Sequence, residues 1–397
     1  MRNVRKLLVP SLLAGIAAAG PAAAQEAPAP GAPDYVIVTG TRQAARTIAQ
    51  SPVPIDVIGG GTLQNNGYTD TNRLLNQLVP SFNFPQPSLT DGTDGLRPAT
   101  LRGLGPDQTL VLVNGKRRHT SALLNVNGSV GRGSAAVDLN TIPPIAIDRI
   151  EVLRDGASSL YGSDAIAGVI NIILKSKEGG RAQVTYGQYY SNVANVPGFV
   201  GLRTDSNGQP VAMPGFGAGT YDTITNGNDR DARDGETLTY AANIGLPVGD
   251  SAFLNFSVQY QDQNATNRAG YDRRRQYPLL GTGNVDPREF TVNRLNHRFG
   301  DPDTHDYQMF LNGGATLSDT VELYGFANYS KRDVESAAFF RRYAPGAGGQ
   351  SDIRDCDYSS GICQPFYPDG FLPLIGSDIE DYAGTVGVRG DVSGWHY

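Results

Sequence analysis

The second half of the chain alternates apolar and polar residues at the period of two that a β-strand requires. Each alternating segment is about ten residues long and places its apolar side chains on one face. Strands that are apolar outside and polar inside are typical of a transmembrane barrel with a water-filled lumen, although a soluble β-sandwich can also alternate. The clearest segments are residues 238–246, 252–261 and 307–317, and weaker ones are 182–190, 321–330 and 382–390.

The connections between these segments fall into two length classes. Residues 247–250 and 318–319 are tight, whereas residues 191–235, 264–304 and 334–381 are long and polar. Short turns at one rim and long loops at the other are the arrangement of outer-membrane barrels, whose long loops face outward. A soluble sandwich would not be expected to sort its loops so regularly. We therefore predict an antiparallel transmembrane β-barrel.

The preceding region mixes short strands with short helices. Residues 54–58 favour a strand, and residues 71–78 favour a helix that begins near Asp70 and stops at Pro80. A second strand, 109–113, ends at a turn formed by Asn114-Gly115. This mixture predicts a compact α/β domain.

Two sequence signals refine the α/β domain. Asn114-Gly115 is a hairpin signal, because a type I′ turn needs positive φ at both positions. Residues 149–153 alternate as a strand, residues 157–161 form one helical turn closed by Gly162, and residues 169–174 are a β-branched run. The sequence therefore predicts a strand, turn, helix and buried strand in close succession.

The amino terminus has the pattern of a secretory signal. Basic residues precede the apolar stretch 7–19, and residues 22–24 form an A-x-A cleavage site. A membrane-anchoring helix is the alternative, but proline and glycine interrupt the short span. No later run reaches about 18 apolar residues, so a helical membrane protein is not expected.

A Pro/Ala-rich leader, 25–33, precedes a short strand-forming segment. The segment has no predicted pairing partner nearby, so it is suited to adding a strand to the sheet edge of another protein. The alternative is an ordinary first strand of the following domain. The segment consists of Tyr35, Val36, Ile37, Val38 and Thr39.

Composition and scattered side chains narrow the function classes. The net charge of −6 does not suggest a nucleic-acid-binding surface. Cys356 and Cys363 are predicted to form a local disulfide in an exported protein, because no histidine lies nearby to support a metal pair. The four histidines are scattered and no catalytic triad or carboxylate pair emerges, so we expect no enzyme activity, no metal site and no cofactor.

Several of these motifs together resemble the TonB-dependent outer-membrane receptors. Residues 35–39 resemble the TonB box, and residues 101–105 with 111–115 look like the middle of the family's plug domain. Residues 150–154 with 160–172 resemble the most specific sequence block of that family. Asp155-Gly156 departs from the Gly-Pro of many relatives, which is a permissible turn. The resemblance implies a plug inside a barrel of about 22 strands.

The resemblance divides the chain into four segments, and about six of the barrel strands are recognisable. The pattern stops within a strand at residues 395–397, so we expect the amino-terminal fragment of a longer receptor. The segments are a signal peptide at 1–24, a flexible leader with the TonB box at 25–50, the α+β plug domain at 51–177 and the amino-terminal part of the barrel at 178–397.

The function implied by the resemblance is active import of a scarce ligand across the outer membrane of a Gram-negative cell, with the plug and TonB box facing the periplasm. The expected partners are the TonB energy-transducing protein, outer-membrane lipid and lipopolysaccharide, and a small-molecule ligand. A ferric siderophore is the leading ligand, and an oligosaccharide or other nutrient is the alternative. A passive porin or a structural or adhesion protein is the alternative of another class.

Three charged side chains are candidates for seating the plug in the barrel. Arg102, Glu151 and Arg154 are predicted to point away from the plug core, because they alternate with apolar neighbours. A polar lumen could receive them. A solvated strand face is the alternative.

Overall fold

A computed structural model describes most of the chain after the amino-terminal leader. Among the described residues, no helix is both long and apolar enough to cross a bilayer. The described residues are 36–37, 39, 46–47, 53–126, 129–176, 179–343, 354–357, 359, 362–392 and 395–396.

The described part is mainly β-structure. The strands are β1 (Val36–Ile37), β2 (Arg46–Thr47), β3 (Ile55–Gly59), β4 (Phe82–Asn83), β5 (Thr100–Leu101), β6 (Thr109–Val113), β7 (Lys116–Arg117), β8 (Ile147–Leu153), β9 (Gly168–Leu174), β10 (Gly179–Leu202), β11 (Thr223–Val248), β12 (Ala252–Gln263), β13 (Asp303–Ser318), β14 (Val321–Ala337), β15 (Arg354–Asp357), β16 (Ile362–Pro365), β17 (Leu374–Val392) and β18 (Trp395–His396). The α-helices are α1 (Gly60–Gln64), α2 (Thr71–Leu78), α3 (Thr93–Leu96) and α4 (Ser158–Tyr161). Single 3-10 turns span Pro106–Gln108, Leu139–Thr141, Pro144–Ala146, Ser163–Ala165 and Pro287–Phe290.

A five-stranded sheet forms the centre of the plug domain, in the order β3-β8-β9-β6-β7. Strands β6 and β9 are parallel, and the other pairs are antiparallel. Ile150 and Ile170 are fully buried in the core beside Leu74 and Leu75 of α2. Each such side chain contributes about 1.5–3 kcal/mol by leaving water. The predicted α/β domain and its helix 71–78 are confirmed.

One turn and one close approach in the plug depend on glycine. Asn114 and Gly115 have φ of 48° and 78°, as the predicted hairpin turn between β6 and β7 requires. Gly168 begins β9 at φ 143°, where an added Cβ would lie 2.2 Å from the carbonyl oxygen of Leu153. The tight packing of β9 against β8 therefore depends on glycine at position 168.

The long strands form one antiparallel sheet in the order β10-β11-β12-β13-β14-β17-β18. Six of its strands are long, and β18 has two residues. The predicted fold class, an α+β plug domain followed by an antiparallel sheet, is confirmed. Closure of this sheet into a barrel stays a prediction.

The two faces of the large sheet differ as the alternation predicts. Polar side chains at alternate positions are buried on the face toward the plug, whereas their apolar neighbours are exposed on the other face. Phe310 is an exception, because this aromatic ring at a predicted polar position packs against the plug core. The buried polar set includes Thr239, Asn243, Asn255, Ser257, Gln259 and Gln261, and the exposed apolar set includes Tyr240, Ile244, Leu246, Leu254 and Phe256.

Two predicted loop boundaries are wrong. Strands β10 and β11 continue pairing to Leu202 and Thr223, well inside the predicted loop 191–235. Strands β14 and β17 likewise extend into 334–381, and β15 and β16 form a hairpin between them. Alternation of hydrophobicity reports which face meets an apolar surface, whereas backbone pairing continues where both faces are polar. The predicted loop 264–304 agrees within two residues with the observed connection between β12 and β13.

Candidate functional site

The amino-terminal segment is held on the plug by a buried threonine. Thr39 Oγ1 donates a hydrogen bond to Glu151 Oε2 at 2.5 Å and accepts one from Asn171 Nδ2 at 3.0 Å. Glu151 and Asn171 lie directly opposite each other in the β8–β9 register, so their side chains share one face of the sheet. All three side chains are almost completely buried. Thr39 is therefore a specific anchor for the segment.

The rest of the strand-forming segment is only partly described. Val36 and Ile37 form β1 and pair with Thr47 and Arg46 of β2. The expectation that this segment has no pairing partner nearby is therefore wrong, because the chain returns within ten residues and supplies one. Tyr35 and Val38 lie outside the described residues. Binding of this segment to an energy-transducing partner stays a prediction.

The three predicted seating residues contact plug atoms. Arg102 Nη1 lies 3.4 Å from the carbonyl oxygen of Ala167, and Arg154 Nε lies 2.8 Å from Asp56 Oδ2. Glu151 is buried within the plug, as described above. Contact of these three residues with the sheet stays a prediction.

A buried arginine of the large sheet joins two carboxylates. Arg332 of β14 donates from Nη1 to Asp138 Oδ2 of the plug at 2.7 Å, and its Nε donates to Asp306 of β13. Burial raises the pKa of Asp138, although the Arg332 charge opposes that shift. Because a buried carboxylate without a counter-charge is costly, this triad ties the plug to the sheet.

A second ion-pair cluster joins the plug to the connection between β12 and β13. Asp301 lies 2.8 Å from Arg73 Nη2 and 2.6 Å from Arg97 Nη1. Burial alone would raise the pKa of Asp301, but the charges of Arg97 and Arg73 outweigh it and lower that pKa. This carboxylate therefore stays ionised in a largely buried position.

A third cluster reaches the last long strand of the sheet. Arg118 of the plug pairs with Asp381 of β17 and donates to Asn328 Oδ1 of β14 at 2.6 Å. His119 Nε2 lies 2.6 Å from the other oxygen of Asp381. The three charged clusters therefore join the plug to strands β13, β14 and β17 and to the connection between β12 and β13.

These contacts were not predicted, although the sequence carries a partial signal. Asp306 and Arg332 occupy buried positions on the plug-facing side of the large sheet, where a charge must find a partner. Asp138 gives no such signal, since it lies in irregular structure 194 residues from Arg332 in sequence. Pairing across that separation follows from the fold and not from local pattern.

A buried ion pair lies within the long connection between β12 and β13. Arg294 Nη2 donates to Glu289 Oε2 at 2.6 Å, and neither side chain has exposed area. The other oxygen of Glu289 accepts from the backbone N–H groups of Gln276 and Tyr277. The pair therefore fixes the shape of this connection.

Arginines gather beside this ion pair. Arg342 Nη1 donates to the carbonyl oxygen of Arg275 at 2.7 Å. Burial, together with the like charges of Arg274 and Arg275, lowers the pKa of Arg342. The positive charge of Arg275 and Arg342, beside the Arg274–Asp272 ion pair, is suited to an anionic ligand.

The two cysteines lie directly opposite each other in the antiparallel pairing of β15 with β16. The disulfide between Cys356 and Cys363 stays a prediction. Within the described ranges, no group of three or more His, Cys, Asp or Glu side chains is placed to hold a metal ion.

Comparison with known proteins identifies the family of one domain of the chain. Residues 47–169 match the model of the TonB-dependent Receptor Plug Domain. The chain is 38% identical over 146 residues to an iron-regulated outer membrane virulence protein of Vibrio cholerae, covering 36% of this chain and 21% of the relative. It is 31% identical over 146 residues to the ferrienterobactin receptor of Escherichia coli, covering 37% and 19%.

A solved structure extends the list of similar proteins. The siderophore receptor PirA from Acinetobacter baumannii aligns with a TM-score of 0.45 and 20% identity over 87% of this chain and 38% of that one. The matched region is about a fifth of the length of the curated relatives. The expected location in the outer membrane of a Gram-negative cell is confirmed by these relatives. Residues 47–169 of the chain therefore form the plug domain of the TonB-dependent receptors.

Proposed function

We propose that the protein imports a scarce ligand, a ferric siderophore, across the outer membrane with energy supplied through the TonB protein. The observation that carries the proposal is the seating of the amino-terminal segment on the plug through Thr39, Glu151 and Asn171. A partner that takes this segment would act directly on the domain packed against the sheet.

The energy must come from outside this membrane. The outer membrane has no nucleotide pool and no useful proton gradient, whereas a charge crossing 100 mV at the inner membrane releases about 2.3 kcal/mol. Strand addition by residues 35–39 provides a backbone connection to a partner that carries this energy. The partners in this proposal are TonB, the small-molecule ligand, and membrane lipid with lipopolysaccharide.

Support for a ferric siderophore comes from the relatives and from the arginine cluster. The similar proteins named above are receptors for enterobactin iron complexes or are regulated by iron. Arg275 and Arg342 lie together beside the Arg274–Asp272 pair, and their positive charge would attract an anionic chelate. A vitamin B12 transporter of Vibrio cholerae is also 36% identical over 147 residues, which keeps another nutrient as the second candidate.

Uptake measurements test the proposal. Cells producing the receptor are supplied with radioactive iron bound to a catecholate siderophore, and parallel cells lack the TonB gene. We expect uptake in the first cells and background counts in the second. Uptake that persists without TonB would support the passive porin, and growth only on one oligosaccharide or on vitamin B12 would identify the other ligand class.

Three further structural assignments belong to the same proposal. The signal peptide would end at residue 24, and the leader, plug and sheet would span 25–50, 51–177 and 178–397. The predicted roles of Arg102, Glu151 and Arg154 in seating the plug, and the disulfide of Cys356 with Cys363, are part of it. Amino-terminal sequencing and thiol labelling of the exported protein test these assignments.

A further inference from the structure

Asn171 makes side-chain hydrogen bonds in two directions from the centre of the plug. Its Nδ2 donates to Thr39 Oγ1 at 3.0 Å, and its Oδ1 accepts from the backbone N–H of Gly115 at 3.1 Å. An amide side chain can donate and accept at once, which a similarly sized leucine cannot do. Asn171 is 1% exposed, whereas Gly115 lies in an exposed turn. The Asn171 side chain therefore binds both Thr39 of the amino-terminal segment and the β6–β7 turn.

The β6–β7 turn continues this connection to the large sheet. Asn114 Nδ2 donates to Asn312 Oδ1 of β13 at 3.2 Å, and Asn114 Oδ1 accepts from the N–H of Leu174 at 2.9 Å. Asn312 Nδ2 in turn donates to the carbonyl oxygen of Lys175 at 3.0 Å. A continuous series of hydrogen bonds thus runs from Thr39 through Asn171 and the turn to the sheet.

A cavity lies beside the turn. It has a volume of about 620 Å³ and lies between the plug and the sheet. Asn171 and Lys116 line it from the plug, and Asn312 and Tyr324 line it from the sheet. The turn therefore has space into which it can move when its hydrogen bonds are lost.

We propose that Asn171 is a positioning residue that couples the amino-terminal segment to the sheet, so that withdrawal of Thr39 releases the Asn114–Gly115 turn from Asn312 and widens this cavity. The coupling rests on the proposed function, because it describes how a pull on residues 35–39 reaches the sheet.

The physical cause is the cost of leaving a buried amide without a partner. When Thr39 leaves, Asn171 Nδ2 loses its acceptor on a side chain that is almost completely buried. Reorientation of the amide toward another partner would then weaken the bond that its oxygen accepts from Gly115. Glu151 is less affected, since Arg149 Nε still donates to its other oxygen at 3.0 Å.

Hydrogen exchange of the receptor in detergent tests the coupling without any partner. Thr39→Val removes the hydroxyl and keeps the side-chain shape, so we expect exchange of the peptide 109–117 to rise about two- to tenfold. Thr39→Ser restores the hydroxyl and should return exchange to the wild-type rate. A general loss of packing would not be rescued in this way.

Thr109→Val is the matched control. Thr109 lies in β6 of the same hairpin, and its buried hydroxyl has no hydrogen-bond partner within the described part of the chain. Exchange of the peptide 109–117 in this variant should stay at the wild-type rate. Unchanged exchange in Thr39→Val, or an equal rise in both variants, would overturn the coupling.

A second arm adds the purified carboxy-terminal domain of TonB. We expect it to raise exchange of 109–117 in the wild-type receptor and to produce a much smaller rise in Asn171→Leu, which retains the buried volume but cannot make either bond. Binding of the domain with no change at 109–117 would overturn the coupling while leaving the proposed function intact. Failure of the domain to bind would contradict the proposed function, and the Thr39 variants would still decide the coupling.

Discussion

Arg332 Nη1 of the sheet lies 2.7 Å from Asp138 Oδ2 of the plug, and both side chains are buried. The same guanidinium also pairs with Asp306, so one positive charge compensates two carboxylates. A residue of the large sheet therefore supplies the counter-charge for a buried carboxylate of the plug. This relationship makes the contact between the two domains sensitive to a single substitution.

Arg332→Met should strongly destabilise the receptor. It leaves Asp138 and Asp306 buried without their counter-charge, and breaking a buried pair costs about 3–5 kcal/mol. Thermal unfolding in detergent, followed by intrinsic fluorescence, measures the loss. Arg389→Met is the matched control, because the Arg389–Glu322 pair on the same sheet is largely exposed and such pairs contribute about 0–1 kcal/mol. Equal effects of the two variants would contradict the role given to the buried cluster.

The contact of Asp301 with the plug should resist acid more than an ordinary aspartate would. Because the pKa of Asp301 is lowered in the folded state, its stabilising contribution is present above the unfolded value of about 3.9 and is lost as the pH falls through the lowered value. Proteolysis of the connection 264–302 with an acid protease, over a pH series, measures this contact. Asp301→Asn should open the connection throughout the series. Wild-type opening above pH of about 4 would contradict the sign of the shift.

Gly168→Ala should destabilise the plug by more than the usual cost of a glycine substitution. The residue has φ 143°, and the added Cβ would meet the carbonyl oxygen of Leu153 at 2.2 Å. We expect a loss of at least about 2 kcal/mol, since strained backbone and overpacking both contribute. Gly156→Ala is the control, because its Cβ would have an ordinary contact of 3.5 Å with Ile166. Unfolding curves that coincide for the two variants would argue against the close approach of β9 to β8.

Arg294→Met should loosen the connection between β12 and β13 without unfolding the plug. The variant leaves Glu289 buried without its charge partner, although two backbone N–H groups still bind the carboxylate. Limited trypsin digestion should cut within 264–302 at least about tenfold faster. Arg203→Met, which removes the partly exposed pair with Asp222, provides the comparison. Faster cutting in both variants, or in neither, would contradict the bracing role of Arg294.

The sequence predicts the faces of the large sheet well because a strand with one apolar and one polar face must alternate. Tyr240 and Ile244 are exposed and Thr239 and Asn243 are buried, as the period of two requires. The same rule cannot place the ends of β10 and β11, because polar strands beyond the apolar zone pair without alternating. Phe310 breaks the alternation where the plug core reaches the sheet.

The candidate site was predictable only in part. Residues 35–39 were selected from sequence, and Thr39 among them is the observed anchor. The sequence predicts Glu151 as a seating residue, and the structure shows that its carboxylate accepts a hydrogen bond from Thr39. Asn171 was missed, although a polar amide inside the apolar run 169–174 is a signal, since a buried amide requires partners. Its partners could not be read from the sequence.

Uptake by Val38→Pro tests the central claim most directly. Proline removes a backbone donor from the strand that residues 35–39 would add to TonB, so transport should fall to background while surface binding of the same ferric siderophore is retained. Ala27→Pro in the Pro/Ala-rich leader is the matched control and should transport at the wild-type rate. Wild-type uptake by Val38→Pro would contradict energy transfer through this segment.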